Sequence, residues 1–328
     1  MDLQGVRTLV TGAGGFIGSH LCERLVKEGC RVRAFVRYKS DNSWGWLDGS
    51  PLKGDIEVFA GDIIDRDNVQ HAMKGCDVVF HLGALISIPY SYQAPTSFVK
   101  TNVEGTLNML MVAREFGVQR MIHTSTSEVY GTPDTIPITE GHPLKAQSPY
   151  AATKIAADKL AESFFHTYKL PVTILRPFNT YGPRQSARAV LPVILTQLLS
   201  GSKKIRLGAL HPRRDLTYVA DTVDGFIKAA LSEQTVGRTV QLGTGRDISI
   251  GELARLAMDV TGLQAEIVCE DQRLRPPQSE VERLLSKPDL AHQLMDWHPT
   301  TSLEDGARQT AEWLKGNLAS YRVALYIV

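Results

Sequence analysis

A chain of 328 residues, 43% of them hydrophobic, has room for one large α/β unit or two interlocked lobes around a sizeable core. Its formal net charge of +1, from 36 Lys and Arg against 35 Asp and Glu, lacks the electrostatic footprint of a general nucleic-acid binder. Cys22, Cys30, Cys76 and Cys269 have neither metal-ligand spacing nor a disulfide framework, so buried thiols and no metal chemistry are expected.

The first strand is predicted at Arg7–Thr11, with no basic and apolar leader before it. No apolar run nears the roughly 18 residues that span a bilayer, and a cytoplasmic chain independent of membranes is expected. The strand runs into Thr11-Gly12-Ala13-Gly14-Gly15-Phe16-Ile17-Gly18, and an amphipathic helix follows to about Glu28. Gly12, Gly15 and Gly18 permit a tight turn, close approach of backbone to a pyrophosphate, and close packing of helix on strand. The helix N-terminus adds free N–H groups and the positive end of a dipole. A lone glycine motif is weak; its place between a strand and a helix is what makes dinucleotide binding the better reading.

Further short apolar runs at 31–36, 56–59, 78–81, 121–123 and 172–175 alternate with helical patterns, which predicts βαβ repetition and a doubly wound parallel sheet. The second run ends in Val36-Arg37-Tyr38-Lys39, where an acidic residue would take the ribose 2′-OH of NAD; a cation there accommodates the 2′-phosphate of NADP. Asp62 and Ile63 follow the third run, and Asp62 on its own reads equally as a helix N-cap. Segments 38–54, with Trp44 and Trp46, and 132–147, rich in Pro, read as surface loops near the mouth of a site.

Tyr150 and Lys154 stand four residues apart on one helix face. A nearby ammonium lowers a phenol's pKa, and Tyr150 is expected to take a hydroxyl proton as hydride leaves the carbon. Beyond Arg176 the pattern turns irregular. Short strands are expected near 204–207 and 240–242, and helices near 222–231, 250–260 and 303–314. This predicts a smaller α/β substrate lobe of residues 179–216 and 243–328, interleaved with a Rossmann domain of residues 1–178 to which 217–242 return.

The Gly-x-x-Gly-x-x-Gly turn, the run Thr124-Ser125-Thr126-Ser127-Glu128-Val129-Tyr130-Gly131, the Tyr150/Lys154 pair and Arg176-Pro177-Phe178-Asn179-Thr180-Tyr181-Gly182-Pro183-Arg184 resemble one family. It is the extended short-chain dehydrogenase/reductase superfamily, in its NAD(P)-dependent sugar-nucleotide epimerase/dehydratase branch, and the resemblance covers nearly the whole chain. It implies a tightly bound, recycled NAD or NADP. Gly12, Gly15, Phe16, Ile17, Gly18, Arg37, Asp62, Ile63, Leu82, Gly83, Ala84, Thr101, Tyr150, Lys154 and Pro177 would face the cofactor, with Asp62 at the adenine amine.

The same resemblance gives Thr126 the hydrogen bond to the reacting oxygen and makes Ser127 and Glu128 part of the catalytic run, with Glu128 the base for a C5 proton. The Thr-Ser-Glu form is similar to that of GDP-mannose dehydratases, in which Glu128 would also protonate the departing hydroxyl. A nucleoside-diphosphate sugar is then implied at Ser87, Asn179, Arg188, Val190, Leu191, Arg206, Arg214 and Arg275, whose Arg forks suit phosphate. Alternatively, the guanidinium groups of Arg213, Arg214, Arg273 and Arg275 form surface ion pairs with Asp215 and Glu280. Residues 42–47 and 275–284 look like those of bacterial dehydratases acting on UDP- or GDP-N-acetylglucosamine in legionaminic-acid-type pathways. A retaining 4,6-dehydratase is therefore expected, with a 4-epimerase, a UDP-glucuronate decarboxylase and a dinucleotide-binding sensor as alternatives. Helices near 102–116 and 148–168 resemble the pair that forms a homodimer in relatives.

Overall fold

The early apolar runs carry little polar alternation, the pattern of strands covered on both faces. In the computed structural model, which describes residues 2–274 and 276–321, they form β1 (Arg7–Thr11), β2 (Arg31–Arg37), β3 (Ile56–Gly61), β4 (Val78–His81), β5 (Arg120–Thr124) and β6 (Val172–Pro177). Between them lie α1 (Phe16–Lys27), α2 (Arg66–Met73), α3 (Ile88–Gln93), α4 (Pro95–Phe98), α5 (Gly105–Phe116) and α6 (Pro149–Tyr168). The chain continues through β7 (Asn179–Tyr181), α7 (Val190–Leu199), β8 (Lys204–Leu207), β9 (Arg213–Tyr218), α8 (Val219–Leu231) and β10 (Thr239–Leu242). It ends with β11 (Asp247–Ser249), α9 (Ile250–Thr261), β12 (Glu266–Cys269), β13 (Arg283–Leu284), α10 (Asp289–Met295) and α11 (Leu303–Asn317).

β1 to β6 and β10 pair in parallel as one sheet of order β10-β6-β5-β4-β1-β2-β3. The winding reverses between β1 and β4, and the crevice beyond the carboxyl ends of those strands is where a doubly wound sheet takes a ligand. The α/β class expected from the sequence is thus the one observed. β7, β9, β11 and β13 make a second small sheet, and β8 pairs with β12. α7, α9 and α11 pack on one another beside these sheets.

Three local features depart from the expectations. The helix expected from 102 starts instead at Pro95 and passes through a π-helical turn, Val99–Glu104, before α5. Asn102 sits in that turn and donates to the Leu85 carbonyl and to Thr153 Oγ1 while accepting from Leu85 N, so the widened turn delivers a buried amide to the loop after β4. Asp62 does not cap α2; Asp65 does, accepting from Asp67 N and Asn68 N, while Asp62 accepts from Ile64 N in the turn before it. Cys22, Cys30 and Cys76 are buried, but Cys269 is exposed because β12 is an edge strand of a two-stranded sheet.

The 38–54 segment does fold against the glycine-rich turn. Trp46 N donates to Gly14 O at 3.0 Å, and the backbones of Gly14 and Gly45 meet so closely that a Cβ on either would overlap the other strand of the contact. Trp46 then packs edge-on against Trp313 of α11 at 5.3 Å and stacks on Tyr321. Among the described residues no helix is long and apolar enough to cross a membrane, and no cluster of His, Cys, Asp and Glu is arranged to hold a metal.

Candidate active site

At the crevice, Gly12 takes φ of +68° and lies against the backbone of Leu82 and Gly83, where a Cβ would stand 3.0 Å from Gly83 N. Gly15 N donates to Gly12 O, and Gly18 fits against the same carbonyl. Phe16 and Ile17 begin α1 and pack on the core. This closeness leaves backbone N–H groups at the start of α1 as the floor of the crevice.

Gly83 is held from behind by buried side chains that sequence reasoning missed. Gly83 N donates to Thr11 Oγ1 at 2.8 Å, and the same hydroxyl is hydrogen-bonded to His81 Nδ1, also 2.8 Å away. The other ring nitrogen, His81 Nε2, is hydrogen-bonded to Thr106 Oγ1 at 3.1 Å. Burial, with the positive charges around it, keeps this imidazole neutral, its pKa well below the ordinary value.

α6 begins at Ser148, whose side chain accepts from Ala151 N, with Pro149 at the first helical position. That start places Tyr150 and Lys154 on the buried face, 9% and 4% exposed. The Tyr150 ring packs edge-on against Phe98 at 6.1 Å and its hydroxyl bonds Thr126. Lys154 Nζ donates to the Thr124 carbonyl at 2.6 Å.

In the protein alone, without the nicotinamide cation that would act together with Lys154, the Tyr150 phenol is raised. Burial raises its pKa, the negative charges of Glu128 and Asp158 raise it further, and the Thr126 hydrogen bond opposes them without prevailing. Burial also pushes the Lys154 ammonium down to about 8, against the pull of Asp158.

Thr126 caps a short turn, accepting from Glu128 N at 3.3 Å. Ser127 is buried inside that turn, whereas Glu128 lines a cavity of about 520 Å³ between the sheet's carboxyl edge and the second lobe. The cavity brings Glu128 together with Asn179, Arg188, Val190, Leu191, Arg206 and Arg214. Asn179 lines the cavity, and its Oδ1 is buried without a hydrogen-bond partner. Arg214 donates to Glu280 at 2.9 Å and to the Val281 carbonyl, and Arg206, 58% exposed, pairs with Glu270 at 2.7 Å.

The neighbouring Arg213 points away, to Asp247 and Glu252. Asp215, expected as an alternative Arg partner, instead accepts from Thr244, Gly245 and Ser286. Ser87 is not part of the cavity lining; it takes φ of +85° at the start of α3, a conformation that is costly for a side-chain-bearing residue. Leu82, Gly83 and Ala84 follow β4, Ile63 packs on Gly105, Thr101 lies in the π-helical turn, Pro177 is buried at the end of β6, and Arg37 is exposed at the end of β2. Arg275 lies outside the described residues.

Residues 9–310 match the profile of the GDP-mannose 4,6 dehydratase family. The chain is 32% identical over 317 residues to a UDP-glucose 4-epimerase of Mycolicibacterium smegmatis, covering 94% of this chain and 99% of that one. It is 32% identical over 321 residues to a UDP-N-acetyl-alpha-D-glucosaminuronate decarboxylase of Bacillus cytotoxicus, covering 94% and 98%. The crystal structure of a dTDP-glucose 4,6-dehydratase from Streptomyces venezuelae with NAD bound superposes with a TM-score of 0.85 at 28% identity, over 97% of this chain and 99% of that one.

Proposed function

The chain belongs to the GDP-mannose 4,6-dehydratase family of the extended short-chain dehydrogenase/reductase superfamily, and from that premise we propose a retaining 4,6-dehydratase of a nucleoside-diphosphate hexose, UDP- or GDP-N-acetylglucosamine. The observation that carries this reading is Glu128. Its carboxylate lines the substrate cavity from the same turn whose Thr126 hydroxyl bonds Tyr150. A base beside the oxidation site is what elimination requires and what simple epimerisation does not.

The crevice fits a dinucleotide, because Gly12 and Gly83 touch backbone to backbone where a Cβ would intrude. Gly12, Gly15, Gly18, Leu82, Gly83 and Ala84 would hold NAD there, with Asp62 and Ile63 beside adenine. NAD bound there would supply the acceptor for the C4 hydride and its return to C6. Tyr150 takes the C4 hydroxyl proton while Thr126 hydrogen-bonds the same oxygen and Lys154 supplies positive charge below it. Burial holds the phenol protonated, so positive charge from Lys154 and from an oxidised cofactor together would favour phenolate. Glu128 then removes the C5 proton, acidified by the C4 carbonyl, and passes it to the C6 hydroxyl, which leaves as water; once C6 carries the returned hydride, C5 regains a proton equivalent to the one Tyr150 took from the C4 hydroxyl. Asn179, Arg206 and Arg214 receive the diphosphate, which competes with Glu270 and Glu280 for the guanidinium groups. Exposed Phe116 and Tyr168, at the ends of α5 and α6, support association of two chains through those helices.

Incubation with a panel of UDP- and GDP-hexoses, read by mass spectrometry, tests the assignment: the substrate is expected to lose one water while its nucleotide stays intact. A product of unchanged mass and inverted C4 would overturn it in favour of an epimerase. The cofactor is a separate matter. Arg37 offers a cation where an acidic residue would pair with the ribose 2′-OH, so cofactor released from purified protein is expected to include NADP. Mass analysis finding NAD alone would return Arg37 to solvent without touching the chemistry.

A further inference from the structure

One buried carboxylate connects three of the segments that carry the catalytic groups. Asp158, 1% exposed, lies one turn beyond Lys154 on the face of α6 that already holds Tyr150, so the three side chains stand at i, i+4 and i+8. Its Oδ1 meets His123 Nε2 at 3.1 Å, and its Oδ2 accepts from Ser125 Oγ at 2.6 Å and from Arg176 Nε and Nη2 at 3.2 and 2.9 Å. Ser125 directly precedes Thr126, and Arg176 lies three residues before Asn179. Arg176 also donates to Tyr130 at 3.0 Å, at the end of the turn that carries Glu128.

We propose that Asp158 is a positioning residue for the Tyr150–Lys154 pair, fixing the ends of β5 and β6 against α6 and supplying the counter-charge that lets the buried Lys154 remain an ammonium. The inference rests on the reading of Tyr150 and Lys154 as the reacting pair.

The charges around Lys154 can be counted from every side. β4 and β5 contribute His81 and His123, both kept neutral chiefly by burial, and the Thr124 carbonyl, which accepts from Nζ. β6 contributes the Arg176 cation, α6 contributes Tyr150 and the Asp158 anion, and the turn after β5 contributes Glu128 at the cavity. Around Tyr150 there are thus two cations, Lys154 and Arg176, and two anions, the fully buried Asp158 and Glu128 at the cavity, so Asp158 is the one buried counter-charge on the side of Lys154. Arg176 cannot lose its proton, so any loss of negative charge falls on Lys154. Burial works to raise the Asp158 carboxyl, but the His123 hydrogen bond and the charges of Arg176 and Lys154 hold it down to about 2, so it stays an anion throughout the working range.

The test needs no sugar, and so fails separately from the substrate assignment. Protein carrying 13C at lysine Cε is titrated by NMR, with the Lys154 resonance identified by its loss in Lys154→Arg. Wild-type Lys154 is expected to titrate near 8. Asp158→Asn should move that midpoint down by about one unit or more, and Arg176→Gln should move it up, because the remaining anion then serves Lys154 alone. A purely structural carboxylate would leave the midpoint where it was in any variant that keeps native circular dichroism. Should Asp158→Asn fail to fold, the direction of the Arg176→Gln shift still decides. A Lys154 midpoint that does not move in the folded variants, or that moves opposite to these directions, would overturn the proposal.

Discussion

Tyr150→Phe will lower turnover by roughly 10²–10⁴-fold and leave the dinucleotide in place, because the change removes a proton acceptor and little else. The ring keeps its edge contact with Phe98 and its place beside Ile88, and what is lost is one hydroxyl bonded to Thr126. A single net hydrogen bond of about 1 kcal/mol is too small to unfold the chain. Steady-state rates on the hexose found in the panel, beside the cofactor content of the purified variant, decide the matter. Retention of more than about a tenth of the wild-type rate would show that another group takes the proton. In wild type the acid side of the rate profile should report this phenol. Its pKa is raised chiefly by burial, so activity should rise with pH as the phenolate fraction grows, and a cofactor cation beside it would move that rise to lower pH.

Glu128→Gln should divide the reaction rather than abolish it. Oxidation at C4 depends on Tyr150, Thr126 and Lys154, none of which the substitution touches, whereas removal of the C5 proton needs a basic lone pair that an amide lacks. Near-ultraviolet absorbance of reduced nicotinamide is expected to accumulate on mixing with substrate, and exchange of the C5 hydrogen with deuterated water is expected to disappear. Loss of water should fall by the roughly 10²–10⁴-fold that a general base contributes. The side chain lies in the cavity wall, half-buried, so the shape-preserving amide has no packing reason to perturb the fold. An epimerase gives another pattern, with interconversion at C4 and C5 exchange in neither protein. A decarboxylase releases carbon dioxide from a glucuronate and does not act on hexoses bearing a 6-hydroxyl. Wild-type protein showing either pattern would remove Glu128 from the role of base.

Much of this site was legible in one dimension because its signals are local. The glycine spacing reports a backbone that must approach another backbone, and Gly12 against Gly83 is that approach. Tyr150 and Lys154 are one helical turn apart, so their common face follows from the helix period alone. Strand positions likewise followed from runs of apolar residues, and the carboxyl ends of β2, β3, β5 and β6 extended by one or two residues toward the crevice.

What the sequence by itself determined, then, is the class of fold, the tight glycine turn and the common helix face of Tyr150 and Lys154, since each depends on neighbours within a few residues. What only the tertiary structure decided depends on partners far along the chain. Asp158 is an unremarked acid until His123, 35 residues before it, and Arg176, 18 residues after it, close on its two oxygens. Arg213 and Arg214 are indistinguishable as letters, but side chains alternate across a strand, and β9 sends one to Asp247 and the other to the cavity. The burial of Tyr150 is decided in the same way. A neighbouring Lys can be read from spacing, while the desolvation that raises the phenol exists only once helices and sheet have closed around it.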